Sequence, residues 1–430
     1  MRPKFLRRTA PVDRRGPSPI RGAVILWHRW VGLVIAGFLF VSGVTGAVIS
    51  WDHELDDLLN PHLMYARTEG PAKSSVDLAR EIEARDPRIM VSWIPLAPEP
   101  GGTLAFGVEP RQDPATKRLF EPGYNQVFID PATGAEQGRR EWGAVWPITR
   151  ETFVSFLYVF HYSLHLPEMW GVDRWGLWLL GGVAILWTLD CFAGFWLTLP
   201  PRPASPRTPA SKSFWSRWKP AWLIKTRGGA YRLNLDIHRA LGLWLWGVLF
   251  TVAFTAFSLN LYSEVFYPVL SKVSKTTPGP FELRAPAPIH APIVPKATYA
   301  RVIATAEAEG RRRGWQAPVG GAFYSKEFGI YGVGFFAPGG DHGAAGVGPP
   351  YLYYDGQDGR YLGDRQPWKG TAADIFVQAQ FPLHSGRILG LPGRILISVM
   401  GMVVAILSVT GVVVWWKKRK GRVKRRRRAV

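Results

Sequence analysis

Cysteine is almost absent from this sequence. Among 430 residues only Cys191 occurs, so no intrachain disulfide can form, and regions outside a membrane must rely on ordinary hydrophobic cores. No Gly-x-Gly-x-x-Gly segment follows a predicted strand, which argues against a nicotinamide- or flavin-binding domain of the dinucleotide type. The chain is therefore neither a disulfide-stabilised scaffold nor a recognisable dinucleotide enzyme.

Acidic residues are also scarce, with 32 Asp and Glu against 53 Lys and Arg. The formal charge of +21 could indicate a nucleic-acid-binding protein, but the distribution of the basic residues argues against this. About half of them lie in residues 1–29, 200–239 and 417–430, where at most one acidic residue accompanies each cluster. Such clusters are typical of the cytoplasmic segments of membrane proteins. We therefore expect the basic tail to face anionic membrane lipid, and we predict no nucleic-acid partner.

Long apolar runs, by contrast, are abundant. A bilayer core of about 30 Å is spanned by a helix of about 20 apolar residues. Four runs reach that length, at residues 31–51, 177–199, 241–261 and 395–416. With the basic clusters on one side, the sequence predicts a multi-pass membrane protein whose two termini are cytoplasmic. The first apolar run is too long for a signal peptide, so we expect an uncleaved anchor.

Two kinds of segment occur twice. A His-Arg-x-x-Gly-Leu stretch begins at His28 and again at His238, and each copy opens a long apolar run. The segments before the second and fourth runs, 160–167 and 381–387, are both aromatic and both carry histidine. We therefore predict two tandem repeats, each made of a helix, an outer domain and a second helix.

The two long polar segments share a layout, with an amphipathic helix at 74–85 or 297–313 followed by short β-like runs and an Asp-x-x-x-Gly turn. The fold class predicted is a mainly α membrane protein with four transmembrane helices and two external α+β modules. The predicted boundaries are a disordered basic arm at 1–21, helix 1 at 22–51, module 1 at 52–150, a pre-membrane segment with helix 2 at 151–199, a basic loop at 200–235, helix 3 at 236–261, module 2 at 262–375, a pre-membrane segment with helix 4 at 376–416, and a basic tail at 417–430.

Five of the nine histidines lie near predicted membrane boundaries. His28 and His238 begin helices 1 and 3 on the cytoplasmic side, and His161, His165 and His384 precede helices 2 and 4 on the outer side. Ionisable residues at membrane depth are costly and usually face an interior site with a partner. Any one of them could be an ordinary interfacial histidine, but matched levels on four helices favour two ligand sites. The other four histidines lie in polar segments, and we assign them no role.

Two kinds of ligand compete for these sites. A divalent metal prefers three or four ligands from His, Cys and carboxylate, and neither level offers them in the sequence. A haem needs only two axial imidazoles, with its porphyrin in an apolar gap lined by glycine and aromatic side chains. No Cys-x-x-Cys-His segment occurs, which excludes a covalent c-type haem. The sequence therefore predicts two b-type haems.

The predicted axial ligands follow from the side of the membrane on which each histidine is expected to lie. His28 and His238 are predicted to hold the inner haem, because they occupy the same register of the repeat. His384 is predicted to hold the outer haem with either His161 or His165. We favour His165, which lies nearer the apolar run, and we expect the two candidates to share one helix face.

Three charged residues are further candidates. Arg29 and Arg239 each follow a histidine and could meet haem propionates, although both also fit as ordinary positive-inside residues. Asp190 lies inside helix 2, where a carboxylate is a candidate for proton balance or for support of an imidazole. It could equally be a neutral residue bonded to a neighbouring helix. No catalytic residue is assigned.

Together these segments resemble the PepSY-associated transmembrane helix family, which includes iron-regulated inner-membrane proteins and siderophore reductases. The resemblance rests on the His-Arg-x-x-Gly-Leu repeats, the histidine-bearing segments Phe-His-Tyr-Ser-Leu-His-Leu and Pro-Leu-His-Ser-Gly, and the Asp-x-x-x-Gly turns, and it covers residues 28–416. It implies four helices, two PepSY-like modules in the periplasm, b haems held by histidine pairs, and reduction of ferric iron in a siderophore or similar chelate. His28, His238 and His384 match family histidines, whereas the match on helix 2 falls between His161 and His165.

We therefore expect a membrane electron carrier. Electrons would come from membrane quinol or a separate reductase and would leave to a ferric chelate docked between the external modules. One alternative is a non-enzymatic PepSY-containing membrane protein that binds or regulates an envelope partner. Another is a transporter, which we disfavour because the sequence predicts no broken Gly/Pro helix.

Overall fold

The computed structural model describes residues 18–201 and 213–427. The predicted basic arm at 1–21 lies outside these residues except for its last four, and a helix already begins at Pro19. Residues 202–212 of the basic loop and the last three residues of the basic tail also lie outside them. Within the described range, the basic tail continues the last helix to Arg427.

The described chain alternates long apolar helices with two groups of four strands. Its α-helices are α1 (Pro19–Ile49), α2 (Asp52–Leu59), α3 (Pro61–Met64), α4 (Ser75–Arg85), α5 (Phe153–Ser163), α6 (Trp175–Thr198), α7 (Phe214–Trp218), α8 (Ala230–Trp244), α9 (Trp246–Asn260), α10 (Tyr267–Val273), α11 (Tyr299–Arg312), α12 (Ala372–Ser385) and α13 (Leu391–Arg427). Its strands are β1 (Ile89–Pro95), β2 (Leu104–Pro110), β3 (Gln126–Ile129), β4 (Glu136–Arg140), β5 (Val319–Ser325), β6 (Ile330–Phe335), β7 (Tyr351–Asp355) and β8 (Tyr361–Arg365).

Three helices of the described chain, α1, α6 and α13, are each long and apolar enough to cross a membrane. The fourth predicted span differs from expectation, because residues 236–261 do not form one straight helix. Helices α8 and α9 pass the same test only as a pair, and they are bent by 72° at the break between them. The described residues therefore contain three candidate spans, or four if the bent pair counts as one.

The break falls at Leu245, whose φ of −107° and ψ of 11° lie outside the helical range. Tryptophans on both sides of the break are held by carbonyl groups of other segments. Trp244 Nε1 donates to Trp222 O at 3.1 Å, and Trp246 Nε1 donates to Cys191 O at 2.9 Å. Broken helices are common in transporters. The bend between α8 and α9 therefore removes the argument against a transporter that rested on the absence of a broken helix.

The chain forms two compact units. The first contains the segments up to Gly37, from Leu186 to Trp246 and from Leu407 onward. The second contains Phe38–Ile185 and Gly247–Ile406, and it includes all eight strands of the described chain.

Small residues bring two helices together in the second unit. A Cβ built on Gly43 of α1 would lie 2.6 Å from the carbonyl oxygen of Gly401 on α13, which is too close for any side chain. Glycine at both positions therefore allows the two backbones to approach, as small residues do in helix pairs within membranes.

All eight strands form one antiparallel sheet with the order β4-β3-β2-β1-β5-β6-β7-β8. The strands of the two predicted modules are thus joined, because β1 pairs with β5. This central pairing aligns Trp93 with Phe323, Ile94 with Ala322, and Pro95 with Gly321. The two segments predicted as separate modules at 52–150 and 262–375 therefore contribute equal halves of a single sheet.

Each half of the sheet is covered by one helix. Helices α4 and α11 begin at matched caps, where the hydroxyl oxygens of Ser74 and Thr298 accept backbone N–H groups of the first turn. The apolar faces of these helices pack on β1–β3 and on β5–β7. Tyr299 packs against both clusters and donates to the carbonyl oxygen of Val91 at 3.2 Å. The two halves therefore share one continuous core.

The two predicted Asp-x-x-x-Gly turns are present and match each other. Gly134 and Gly359 both have φ of +74°, a conformation that glycine adopts without strain. Burial alone would raise the pKa of the Asp130 and Asp355 carboxyls, but hydrogen bonds hold both below their usual value. Threonine hydroxyls and backbone N–H groups donate to Asp130, whereas a backbone N–H and the guanidinium of Arg284 donate to Asp355.

Candidate functional site

The first histidine pair lies in the first unit. His28 on α1 and His238 on α8 lie side by side, with ring centres 6.2 Å apart and ring planes at 52° to each other. The duplicated His-Arg-x-x-Gly-Leu stretch predicts this pairing, and the structure brings the two residues together.

Both rings of this pair are held at Nδ1. His28 Nδ1 lies 2.9 Å from Asp190 Oδ2 on α6. His238 Nδ1 lies 3.1 Å from the carbonyl oxygen of Leu407 and 3.0 Å from Thr410 Oγ1, both on α13. An ionised carboxylate and a carbonyl oxygen accept hydrogen bonds but do not donate them. In a neutral His238 imidazole Nδ1 therefore carries the proton and Nε2 keeps its lone pair, and the same holds for His28 when Asp190 is ionised.

The second pair lies in the second unit and repeats this geometry. His161 on α5 and His384 on α12 have ring centres 6.2 Å apart and ring planes at 53°. Their Nδ1 atoms lie 3.1 Å from Thr45 Oγ1 and 3.0 Å from Thr255 Oγ1, respectively. Both hydroxyls already donate to carbonyl groups of their own helices, so they accept from the imidazoles. The Nε2 lone pair is again left free.

The structure does not bring His165 to this pair. Helix α5 ends at Ser163, and His165 follows it with φ of +51°, so the two histidines do not share a helix face as we expected. His165 Nε2 instead lies 2.9 Å from the carbonyl oxygen of Phe156, and the imidazole stacks on the Phe156 ring at 4.7 Å. The expected preference for His165 is therefore corrected in favour of His161.

The ring separation fits a metal held between two imidazoles. An imidazole nitrogen binds a metal at about 2.0 Å, and the ring centre lies roughly 1.1 Å behind that nitrogen, so two opposed rings on one metal are about 6.2 Å apart. Both pairs have a separation of 6.2 Å. Histidines that bind metals usually donate their other N–H to a carboxylate, a carbonyl or a similar acceptor, as all four do here.

Glycines lie against three of the four rings. A Cβ built on Gly46 would be 2.9 Å from Cε1 of His161, and one built on Gly411 would be 3.1 Å from Cε1 of His238. Gly194 is placed similarly against His28, at 3.4 Å. A side chain at these positions would press on the imidazoles, so glycine keeps room for the rings.

Two further glycines leave space beside the first pair. Gly32 and Gly242 each lie four residues after a histidine and therefore on the same helix face. A Cβ built on either one meets no described atom within 4 Å. This open surface is the kind that a flat ligand edge requires.

The two candidate arginines have different surroundings. Arg239 is committed to an ion pair, because its guanidinium lies 2.8 Å from Asp236 Oδ1 and also donates to Pro220 O. Arg29 lies over the Trp30 ring at 5.2 Å. The buried Nε atoms of Arg29 and Arg239 both lack a hydrogen-bond partner among the described residues, so the ion pair of Arg239 is what separates the two. Arg29 is therefore the arginine better suited to bind an anionic ligand group.

Asp190 lies where it can support an imidazole. The residue is 7% exposed, and its Oδ2 contacts His28. Its Oδ1 is buried without a hydrogen-bond partner among the described residues. This contact fits two of the roles considered from sequence, the support of an imidazole and a bond to a neighbouring helix.

Sequence reasoning missed the threonines that hold the second pair. Thr45 and Thr255 lie 17 residues after His28 and His238, so they belong to the same duplicated stretch at the same shift of 210. Extending the repeat further along the helices would have found them. Thr410 gives no such signal, because the 221-residue shift that aligns α6 with α13 places Leu189 opposite it, one residue before Asp190.

The remaining histidines have local partners. His62 and His290 each lie within hydrogen-bond distance of a glutamate, at 2.7 and 3.1 Å. His53 and His342 lie edge to face with ring centres 5.0 Å apart, a contact that the sequence did not predict. No group of three or more His, Cys, Asp and Glu side chains that could hold a metal ion occurs in residues 18–201 and 213–427.

The helices and the single sheet, with the two histidine pairs, define a membrane protein with an antiparallel β domain. The sequence model of one known family, described as the PepSY-associated TM region, matches residues 25–418. The chain therefore belongs to this family, which confirms the resemblance recognised from its repeated segments. No curated protein matches the chain.

Proposed function

We propose that this protein is a di-haem b electron-transfer protein of the inner membrane that reduces ferric iron in a siderophore or similar chelate at the periplasmic face and releases Fe(II). The observation that carries this proposal is the repeated geometry of the four imidazoles. Both pairs have the same 6.2 Å separation, and each ring has its Nδ1 held and its Nε2 free. Two axial imidazoles complete the protein ligands of a b-type haem, so a third ligand is not needed.

A bound haem supplies a one-electron ferric–ferrous couple. His28 and His238 would hold the first haem, and His161 and His384 would hold the second. Arg29, whose guanidinium has an unpartnered Nε in the described structure, would bind a propionate of the first haem. Arg239 would stay in its ion pair with Asp236 and orient α8.

The charge distribution supports the direction of the reaction. The three basic clusters favour a cytoplasmic location for the chain around the first pair, whereas the two long polar segments fall on the opposite side. No dinucleotide signature occurs in the sequence, so the electrons come from membrane quinol or a separate reductase. Each ferric ion takes up one electron. Oxidation of one quinol therefore reduces two ferric ions and releases two protons.

The β domain is the part of the protein proposed to recognise a chelate. Because β1 pairs directly with β5, the two halves of the sheet leave no opening along that edge. The chelate therefore docks on the β domain as a whole, and the idea of a gap between two separate modules is no longer needed.

Haem content is the first test. The full-length protein, purified in detergent after expression with sufficient haem, should show a b-type spectrum and about two haems per chain. Reduced protein should then be reoxidised by a ferric siderophore, and an Fe(II) chelator should trap the product. The gallium(III) complex of the same siderophore, which is not reduced, serves as the matched control.

The outcomes separate the proposals. If the haems stay reduced with every ferric chelate tried, the reductase activity is rejected while the two-haem assignment stands. A folded protein without haem rejects both. It would favour the alternative of a PepSY-containing membrane protein that binds or regulates an envelope partner.

A further inference from the structure

We infer that Asp190 lowers the reduction potential at the His28–His238 site below that at the His161–His384 site, and so gives electron flow a direction. This inference rests on the proposed function, because it concerns the potentials of bound haems. It assigns Asp190 as a positioning residue that acts through the His28 ring.

The starting observation is an asymmetry among the four Nδ1 partners. Three of the rings are held by neutral acceptors, which are the hydroxyl oxygens of Thr45, Thr255 and Thr410 and the carbonyl oxygen of Leu407. Only His28 has a carboxylate partner, Asp190, at 2.9 Å. The two sites thus have the same ring geometry but a different charge behind one ring.

A carboxylate behind an imidazole makes the opposite ring nitrogen a stronger donor. A stronger donor stabilises the ferric form more than the ferrous form, so the reduction potential falls. Asp190 is 7% exposed, which leaves little water to screen its charge. Its second oxygen has no described partner that would share that charge. The hydroxyl groups at the second site lack a formal charge and change the donor strength less.

Other charged residues lie near the first site, and they remain the same when Asp190 alone is replaced. Arg239 and Arg232 share the buried carboxylate of Asp236, each at 2.8 Å, so these three residues together keep a net charge of +1. Arg29 and Lys418 are cations near the two histidines and act to raise the potential. Both stay unchanged when Asp190 is replaced, so a variant at that position isolates the effect of its carboxylate.

The consequence is a downhill step. With haems held by His28 and His238 and by His161 and His384, transfer of one electron from the first site to the second would be favourable, and no bond would form or break in the protein. The reductant is the quinol or separate reductase of the proposed function, and the final oxidant is the ferric chelate.

The test is a potentiometric titration of the haem-loaded full-length protein, followed by absorbance, for the wild type and for Asp190→Asn. Removal of the charge should shift the ferric–ferrous equilibrium constant of the lower-potential haem about tenfold or more toward the ferrous form. A tenfold change corresponds to about 59 mV for one electron. The other haem should not move. Thr410→Val is the matched control, since it removes a neutral partner and leaves Leu407 O on the His238 ring, and it should shift the potential by less.

A second variant tests the order of the potentials without changing Asp190. His28→Ala removes an axial ligand of the first site, so the haem that remains belongs to the second site and should titrate at the higher wild-type potential. A remaining haem at the lower potential overturns the inference. So do unchanged potentials in Asp190→Asn with both haems bound. A wild-type protein that binds no haem overturns the proposed function and this inference with it, so the two failures are distinguishable.

Discussion

Alanine substitutions at His161 and His165 should have opposite effects on haem content. His161→Ala removes one ring of a pair whose centres are 6.2 Å apart and leaves His384 as a single axial ligand. The second haem should then be lost, and the content should fall from about two per chain to about one. His165→Ala should keep both haems, because that ring is turned toward Phe156.

The size of the structural effect at His165 can be worked out from its contacts. The variant loses one hydrogen bond to a carbonyl oxygen, which contributes about 0.5–1.5 kcal/mol. It also loses a stacked aromatic contact at 4.7 Å, which contributes about another 0.5–1.5 kcal/mol. The variant should therefore be less stable by about 1–3 kcal/mol while it stays fully loaded with haem.

The assay measures haem and protein separately on the monodisperse fraction from size exclusion, so that a stability loss is not mistaken for a ligand loss. Thermal unfolding of the same fractions, followed by tryptophan fluorescence, reports stability. The reasoning is refuted if His161→Ala retains two haems per chain. It is also refuted if His165→Ala loses one haem although its folded fraction is normal.

Three further outcomes are expected. Arg140→Met should reduce the free energy of unfolding by about 3–5 kcal/mol, because it leaves the Asp56 carboxylate without its buried bidentate partner, which donates at 2.7 and 2.8 Å. A loss under about 1 kcal/mol in denaturant titrations would contradict this. Asp130→Asn should make the free energy of unfolding less sensitive to acid. The pKa of Asp130 is lower in the folded state than its unfolded value of about 3.9, so the carboxylate stabilises the fold at pH values above about 3.9 and this contribution is lost as the pH falls toward the folded pKa. Equal acid sensitivity of the variant and the wild type would contradict this. Gly46→Ala should reduce the haem content of the second site, because the added Cβ would lie 2.9 Å from Cε1 of His161. Gly182→Ala is the control and should not reduce it, because a Cβ there meets no described atom within 4 Å. Equal haem contents in the two variants would contradict this explanation.

The sequence predicts the features that depend on local pattern. Apolar run length locates α1, α6 and α13, and the repeated His-Arg-x-x-Gly-Leu stretch predicts the meeting of His28 and His238. The matched Asp-x-x-x-Gly turns follow from glycine at the position that needs a positive φ. Each of these features is determined by residues close together in the chain or by the same residues recurring at a fixed shift.

Features that depend on tertiary contacts were not predicted. Helix α5 ends at Ser163, and the nearest stop signal is Pro167, which lies beyond His165 and therefore did not exclude an i to i+4 relation between the two histidines. The 72° bend between α8 and α9 is equally invisible to hydropathy, because the apolar run at residues 241–261 continues across the break at Leu245. The pairing of β1 with β5 joins strands that lie more than 200 residues apart in the chain, and no local pattern specifies it.

That pairing sets an order for assembly during synthesis. Strand β1 ends at Pro95 and its partner begins at Val319, so more than 200 residues, including candidate membrane helices, are made before the centre of the sheet can close. At roughly 5–20 residues per second, the free edge of β1 waits about 10–45 s for its neighbour. An unpaired strand edge is a template for wrong partners during such an interval. The nascent protein therefore depends on prompt insertion of its central helices, and slowing translation between the two halves should increase aggregation more than an equal delay after β8.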